Sequence, residues 1–187
     1  MLDKQYPKDV MLKDGREVVL KIPEPRDRDA LLAFYKALPE EERWFMKEDP
    51  IRPHVIDEWI RNHIQKRAFC VLAMDRGRVV GHAALLLRPE GSRRHVGRLR
   101  ILVAKDFRGN RLGTWMIFDL MRRAMELGLE RLRADFVVGV EDAAIEAVQR
   151  LDFFKEGLLR DYVQGPDGRC HDYQIMIKRL HREWGDF

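Results

Sequence analysis

The sequence contains only two cysteines, Cys70 and Cys170, among 187 residues. They lie far apart and form no Cys-x-x-Cys pair, so neither a disulfide framework nor a zinc site is indicated. No apolar run approaches the roughly 18 residues that a membrane span requires. Residues 1–21 are mixed and charged, without the pattern of a secretory signal. These absences predict a cytoplasmic protein that has no metal centre and no membrane association.

Two common phosphate-binding loops are also absent. The Walker pattern GxxxxGK[ST] is not matched, because Gly109 and Gly113 are one residue too close and no Lys-Ser or Lys-Thr pair follows them. The dinucleotide-binding pattern GxGxxG does not occur either. The sequence therefore gives no support for a P-loop nucleotide hydrolase or a Rossmann dinucleotide enzyme.

The length and periodicity of the chain predict its organisation. A chain of this length can bury one sizeable core, and no repeat, low-complexity tract or linker divides it, so we expect one domain over residues 1–187. The spacing of apolar residues predicts the element order β-αα-β-β-β-α-β-α-β-β. That order indicates an α/β (α+β) fold, a mixed sheet with helices on both faces.

The most informative segment is a basic loop that contains two glycines. An apolar run ending at Val103 precedes the loop 107–114, and a helix is predicted from about 112 to 127. The first N–H groups of a helix lack intrahelical partners and carry partial positive charge, which favours phosphate binding at such a junction. Gly109 and Gly113 allow a ligand to approach the backbone closely. The loop therefore predicts a ligand that carries a pyrophosphate.

Positive charge is concentrated around this loop. The net charge of the chain is only +4, but residues 88–111 hold eight Arg or Lys residues against two acidic ones. A cluster of this sign attracts polyanions, although any single arginine is equally explained by a solvated surface. Nucleic acid is the alternative polyanion, and no recognition-helix pattern, aromatic RNA-binding pair or zinc finger supports it. We therefore expect no nucleic-acid partner.

The loop resembles the acyl-CoA-binding motif of the GNAT N-acyltransferase superfamily, [Q/R]-x-x-G-x-[G/A]. Arg108 matches its first position and Gly113 its last. Val103 lies five residues before Arg108, where the strand of that family ends in valine. Further similarities follow in the family's order as far as about residue 180: the segment 144–153 is similar to its next helix and turn, and 154–157 to the following strand entry.

The resemblance implies a GNAT fold, in which a central mixed sheet contains a splayed pair of parallel strands, here 99–103 and 133–137. It implies an acyl-CoA-dependent N-acyltransferase that transfers acetyl from the co-substrate acetyl-CoA to a primary amine by direct attack. In such a fold one backbone N–H polarises the thioester. By resemblance, the residues that contact acyl-CoA are Ile101, Leu102, Val103, Arg108, Gly109, Asn110, Arg111, Leu112, Gly113 and Thr114.

Four positions depart from the family's pattern. Arg111 replaces the middle glycine of the loop, and neither Gly97 nor Arg98 supplies the carboxylate that many members carry on the motif strand. Val148 stands where a tyrosine is often proposed to protonate the thiolate, and Glu141 stands where the family has asparagine. Because these departures affect catalysis, a non-catalytic module that binds and senses acyl-CoA is the alternative hypothesis.

The candidates for proton transfer follow from chemistry. An amine with an ordinary pKa of about 10.4 must lose a proton before it attacks a carbonyl. Glu141, expected at the mouth of the strand gap, is the first candidate for the base, and Tyr162 is expected to line the acceptor side. His82 titrates in a useful range but is better explained as a structural histidine, and His95 as a loop residue. A chain of waters is an equal alternative.

The acceptor is left open between a protein lysine and a small amine. The segment 38–45 is similar to a segment of bacterial protein-lysine acetyltransferase domains, which favours a protein lysine. The acidic run 40–42, followed by Glu48 and Asp49, is either a rim that attracts a cationic amine or a solvated helix start. The sequence also leaves open whether the chain forms a homodimer.

Overall fold

The structure is a computed structural model that describes residues 5–46 and 48–180. Within these ranges the chain forms eight strands and five α-helices. The strands are β1 (Lys8–Met11), β2 (Glu17–Lys21), β3 (Ala68–Asp75), β4 (Arg78–Leu86), β5 (Val96–Val103), β6 (Arg131–Val137), β7 (Phe154–Gln164) and β8 (Cys170–Arg179). The helices are α1 (Arg28–Lys36), α2 (Glu40–Trp44), α3 (Pro53–Ile64), α4 (Leu112–Glu126) and α5 (Asp142–Gln149).

All of the described strands belong to one mixed sheet in the order β1-β2-β3-β4-β5-β6-β8-β7. Every neighbouring pair among them is antiparallel except β5 and β6, which run parallel. The crossover between these parallel strands contains α4, as expected for a β-α-β unit. The predicted mixed sheet is confirmed.

Helices cover both faces of the sheet. His82 on β4 contacts Tyr35 of α1 and Trp59 of α3. A Cβ on the preceding residue, Gly81, would meet Met116 of α4 at 3.0 Å. Because successive residues of a strand point to opposite faces, α1 and α3 lie on one side of the sheet and α4 lies on the other.

The apolar residues that recur at helical spacing form part of the core. The buried residues of α4 include Leu112, Met116, Leu120 and Ala124, which recur at helical spacing and face the sheet. Two short elements were not predicted. β1 has four residues and a single buried one, so its alternation is too brief to detect; α2 buries none of its five residues.

Candidate active site

The parallel strands β5 and β6 separate along their length. Their pairing covers only the three positions from Val96 with Arg131 to Arg98 with Arg133. Beyond that point β5 stays paired with β4 as far as Val103, and β6 stays paired with β8. The two strands therefore open into a gap, as the resemblance implied.

Backbone groups of β5 line this gap. The N–H of Ala104 donates to the carbonyl of Val80, next to β4. Because the backbone groups of successive residues in a strand point to opposite neighbours, those of Leu102 and Arg100 also face β4. The backbone groups of Ile101 and Val103 consequently face β6, where the ladder has ended. Leu102 faces β4, so only its side chain is available to a ligand. Ile101 thus presents a backbone donor and acceptor to the gap.

The glycine loop adopts two left-handed residues before α4 begins. Gly109 has φ +74° and Arg111, the N-cap residue of α4, has φ +67°. The left-handed region suits glycine, so Arg111 holds a strained conformation at the position where the family has its middle glycine. The N-terminus of α4 is thereby directed at the end of β5, with Gly113 beside the Val103 side chain.

Contacts with β4 and with the connection between β1 and β2 hold the loop in place. Phe107 is buried, and the Arg16 guanidinium lies 3.9 Å from the centre of its ring. Arg78 forms two hydrogen bonds of 2.9 and 3.0 Å with the Asp106 carboxylate. The Lys13 N–H donates to the Asn110 carbonyl at 3.2 Å. These contacts fix the position of the loop that precedes α4.

The Arg108 side chain has protein partners of its own. Its Nε donates to the Val103 carbonyl at 2.9 Å, and its two terminal nitrogens donate to the Glu42 carboxylate at 3.0 and 2.5 Å. The bidentate pair links α2 to the loop. The Arg108 N–H donates to the Lys105 carbonyl at 3.3 Å, so a phosphate contact of Arg108 stays a prediction for its backbone as well as for its side chain.

Glu141 lies at the mouth of the gap. Its carboxylate accepts a hydrogen bond of 2.7 Å from the N–H of Val137. That N–H faces β5, because the neighbouring N–H of Val138 bonds to the Asp172 carbonyl of β8. Burial raises the pKa of Glu141, the Val137 hydrogen bond lowers it, and the nearby carboxylates of Glu42 and Asp135 raise it further.

A charged cluster that the sequence did not single out spans the base of the gap on the α1–α3 face. Asp135 is only 1% exposed and forms ion pairs with Arg98 at 2.9 Å and with Arg133 at 2.7 Å. Arg98 also donates to the Tyr173 hydroxyl at 3.2 Å. The available signal was the charged residues recurring at every second position of two apolar strands, which places them on one face.

The structure also gives the surroundings of the other titratable candidates, Tyr162, His82 and His95. Tyr162 is 63% exposed, and its ring packs 5.6 Å from that of Tyr173, whose hydroxyl is the one that reaches the cluster. His82 is buried, with Nδ1 2.7 Å from the Tyr35 hydroxyl, and burial lowers its pKa to about 3. Such a neutral, hydrogen-bonded imidazole is structural. His95 lies in the turn before β5.

Most of the acidic run is engaged with other residues. Glu42 pairs with Arg108, Glu48 accepts a hydrogen bond of 2.9 Å from the Trp59 indole, and Asp49 lies 3.6 Å from Arg52. Glu40 and Glu41 are exposed at the start of α2. The negative rim stays a prediction, with fewer free charges than the sequence suggested.

The described ranges contain neither a metal-binding group of side chains nor a membrane-spanning helix. No group of three or more His, Cys, Asp or Glu side chains in residues 5–46 and 48–180 could hold a metal ion. No helix in this part of the chain is long and apolar enough to cross a bilayer.

The mixed sheet with its flanking helices agrees with the comparisons with known proteins. The sequence model of the acetyltransferase (GNAT) family matches residues 30–153, more than half of the chain. The chain belongs to the GNAT family. The match includes α1 to α5 and the gap between β5 and β6, so it covers the whole candidate site as far as Glu141.

This GNAT acetyltransferase has similar proteins of several descriptions. YwnH of Bacillus subtilis (strain 168), named as a candidate phosphinothricin acetyltransferase, is 23% identical over 166 residues, 87% of this chain and 99% of its own. The structure of a ribosomal-protein-alanine N-acetyltransferase from Brucella melitensis superposes with a TM-score of 0.75 at 26% identity, covering 86% of this chain and 99% of that one.

A third similar structure was solved with the acyl donor bound. It is a phosphinothricin acetyltransferase from Sinorhizobium meliloti in complex with AcCoA. The TM-score is 0.74 at 22% identity, and the alignment covers 87% of this chain and 88% of that one. The family and the similar proteins identify this chain as an N-acetyltransferase.

Proposed function

We propose that this acetyltransferase transfers the acetyl group of acetyl-CoA to a primary amine by direct attack in the gap between β5 and β6. One observation carries the proposal: the gap combines a free backbone edge at Ile101, a helix N-terminus at its end and the Glu141 carboxylate at its mouth. The binding of AcCoA by the similar Sinorhizobium enzyme supports acetyl-CoA as the donor.

The donor site would use the backbone more than side chains. The pyrophosphate would lie on the N–H groups of residues 108–114, where the α4 dipole favours negative charge. The pantetheine arm would follow β5 and replace the missing β6 ladder with hydrogen bonds to Ile101. An N–H of β5 that faces the gap would then donate to the thioester oxygen as negative charge develops there.

Glu141 would accept the proton of the amine, directly or through a water. The acceptor arrives mostly as an ammonium ion, because its ordinary pKa lies well above neutral pH. A carboxylate with a raised pKa is a better proton acceptor than an ordinary glutamate. Tyr162 would contribute only at the rim of the acceptor side, where its exposed ring lies.

The acceptor side favours a small amine over a protein lysine. The Trp44 indole donates to the Gln164 carbonyl at 2.8 Å, and the Phe45 ring packs 5.7 Å from the His171 ring. Because Glu42 of α2 also binds Arg108, the α2 segment extends from the glycine loop to the ends of β7 and β8, which would leave less room for a protein chain than for a small amine. We further propose that the chain acts in the cytoplasm as one domain; homodimer formation stays a prediction for analytical ultracentrifugation.

The experiment is the release of free CoA thiol from acetyl-CoA with a panel of small amines and of lysine peptides, together with calorimetric binding of CoA. Amine-dependent thiol release supports the proposal, and the best acceptor shows the class. CoA binding without thiol release for any amine would instead support the sensing module, which the missing carboxylate at Gly97 and Arg98 favours. Absence of both would contradict the donor site.

A further inference from the structure

Arg100 lies on the face of the sheet that α1 and α3 cover, and it lacks an acidic partner among the described residues. Arg98 and Arg133 pair with Asp135, and Arg108 pairs with Glu42. Arg100 has no carboxylate within ion-pair distance anywhere in residues 5–46 and 48–180. Its guanidinium lies instead 5.3 Å from the ring centre of Trp59. Arg100 is thus held in position by an aromatic ring while its charge is left uncompensated.

The surroundings of Arg100 are partly dehydrated. The residue opposite on β4 is Ala84, which is buried and itself lies opposite the buried Cys70 of β3. Arg100 is half-buried. A cation removed from water without a counter-ion is unfavourable, and a bound anion would remove that cost.

Arg100 also borders the reaction site. It lies next to Ile101, whose backbone faces the gap, and two residues from Arg98, which reaches across the gap to Asp135. Arg98, Arg100 and Arg133 are three arginines of this face that have a single acid, Asp135, between them. Positive charge therefore remains at the level of the gap, while the Glu141 carboxylate lies at its mouth.

We infer that Arg100 binds the carboxylate of the acceptor, which makes the substrate class an amine that also carries a carboxylate, such as a free amino acid. This inference rests on the proposed function. The guanidinium fork matches a carboxylate with two parallel hydrogen bonds, and the Trp59 ring keeps its plane in place. The ammonium end of such an acceptor would face Glu141, so both ends of a zwitterion have a partner.

The transfer balances on these groups. The acceptor ammonium gives one proton to Glu141 or to water, and the resulting amine forms a bond with the acetyl carbon and then releases its second proton, which passes to the departing CoA sulfur. The carbon–sulfur bond of the thioester breaks, and the thiolate of CoA takes up a proton. Arg100 takes no part in proton transfer; it holds the carboxylate and thereby orients the amine.

The test compares L-amino acids with their carboxamides, which keep the amine and lose the negative charge, by thiol release from acetyl-CoA. A peptide with blocked termini and one lysine is the third acceptor. We expect the parent to prefer the best amino acid over its carboxamide by at least about tenfold in kcat/KM, since a charged hydrogen bond contributes on this scale.

Substitutions then assign the preference to one side chain. Arg100→Gln should lower kcat/KM for the amino acid by about tenfold or more and leave the value for the carboxamide within about threefold. Arg100→Lys, which keeps the charge without the fork, should keep part of the preference. Arg76→Gln, which removes an exposed arginine of the turn between β3 and β4, should change kcat/KM for neither acceptor. Calorimetric CoA binding and the melting temperature show that each variant is folded.

The outcomes are distinguishable. Equal rates for amino acid and carboxamide, or a lysine peptide as the best acceptor with no effect of Arg100→Gln, would overturn the inference and leave the N-acetyltransferase proposal standing. Failure of every amine to release thiol would reject the proposed function, and the inference with it.

Discussion

At the residue scale, the position of Glu141 raises the pKa of its carboxyl group. The turn between β6 and α5 places its carboxylate on the Val137 N–H, at the edge where β6 has lost its parallel neighbour. Burial and two neighbouring carboxylates, those of Glu42 and Asp135, raise its pKa. A base in this environment accepts a proton more readily than an exposed glutamate.

Replacing Glu141 by glutamine removes the proposed base and keeps the shape. We expect Glu141→Gln to lower kcat at least about tenfold near neutral pH, within the range of general-base contributions, with a smaller loss at high pH where free amine is abundant. Because the active form is the carboxylate and its pKa is raised, the parent rate should increase with pH above the ordinary glutamate range. Glu146→Gln, on the exposed side of α5, is the control. A variant within twofold of the parent would eliminate Glu141 as the base.

Gly113 offers a separate test of the donor site. Its backbone is helical, and a Cβ built on it would meet only Val103 Cγ2, at 3.8 Å. A larger side chain therefore has room in the free protein but occupies the approach to the loop. Gly113→Leu should weaken CoA binding by at least about tenfold, measured by calorimetry, with little change in melting temperature. Gly113→Ala should have a smaller effect. Unchanged affinity in both variants would show that the loop does not bind phosphate.

At the element scale, α2 is held by contacts along its polar side rather than by burial. Its five residues contribute no buried side chain. Instead Glu42 binds the loop through Arg108, and Trp44 binds the β7–β8 turn through Gln164. The element therefore connects the glycine loop with the end of β7. Its position also brings the Glu42 charge close enough to affect Glu141.

That electrostatic link can be measured. Since the negative charge of Glu42 raises the pKa of Glu141, Glu42→Gln should lower that pKa and shift the acidic limb of the kcat/KM profile to lower pH. Glu41→Gln removes the same charge from an exposed site one residue away and should leave the limb in place. Equal shifts for both variants would mean that general surface charge, rather than the Glu42 position, controls the base.

At the scale of the whole molecule, a buried carboxylate attaches the first strand to the central helix. Asp119 of α4 is 1% exposed and binds the Lys8 ammonium at 2.5 Å and the Tyr6 hydroxyl at 2.6 Å. β1 is an edge strand with little apolar surface to bury, so this pair compensates for a small contribution to the core. The contact spans 111 residues of sequence.

Removing that charge should destabilise the fold. Asp119→Asn leaves the partly exposed Lys8 ammonium without its counter-ion and weakens a charge-assisted hydrogen bond, which should lower the free energy of unfolding by about 2 kcal/mol. Urea denaturation measures the change. Asp9→Asn, at an exposed position of the same strand, should stay within about 0.5 kcal/mol. A similar small effect of Asp119→Asn would show that β1 is held by its pairing with β2 alone.

The sequence by itself determined the family, the apolar faces of α1, α3 and α4, and the loop that ends β5. These features depend on local periodicity and on residues close together in the chain. Glu141 could be placed at the gap because its position follows directly from the motif of the next helix. The exposure of Tyr162 could not be predicted, because no local sequence pattern shows how far a single side chain of an edge strand is exposed.

Only the tertiary structure decided which distant side chains meet. The Arg108–Glu42 pair joins residues 66 positions apart, and Arg98 meets Tyr173 across 75 positions. Whether an arginine on a strand is paired or free depends on the strand order, which no local pattern specifies. For that reason Arg98 and Arg100, indistinguishable in the sequence, differ in the structure: Arg98 pairs with Asp135, whereas Arg100 contacts the Trp59 ring and has no carboxylate partner among the described residues.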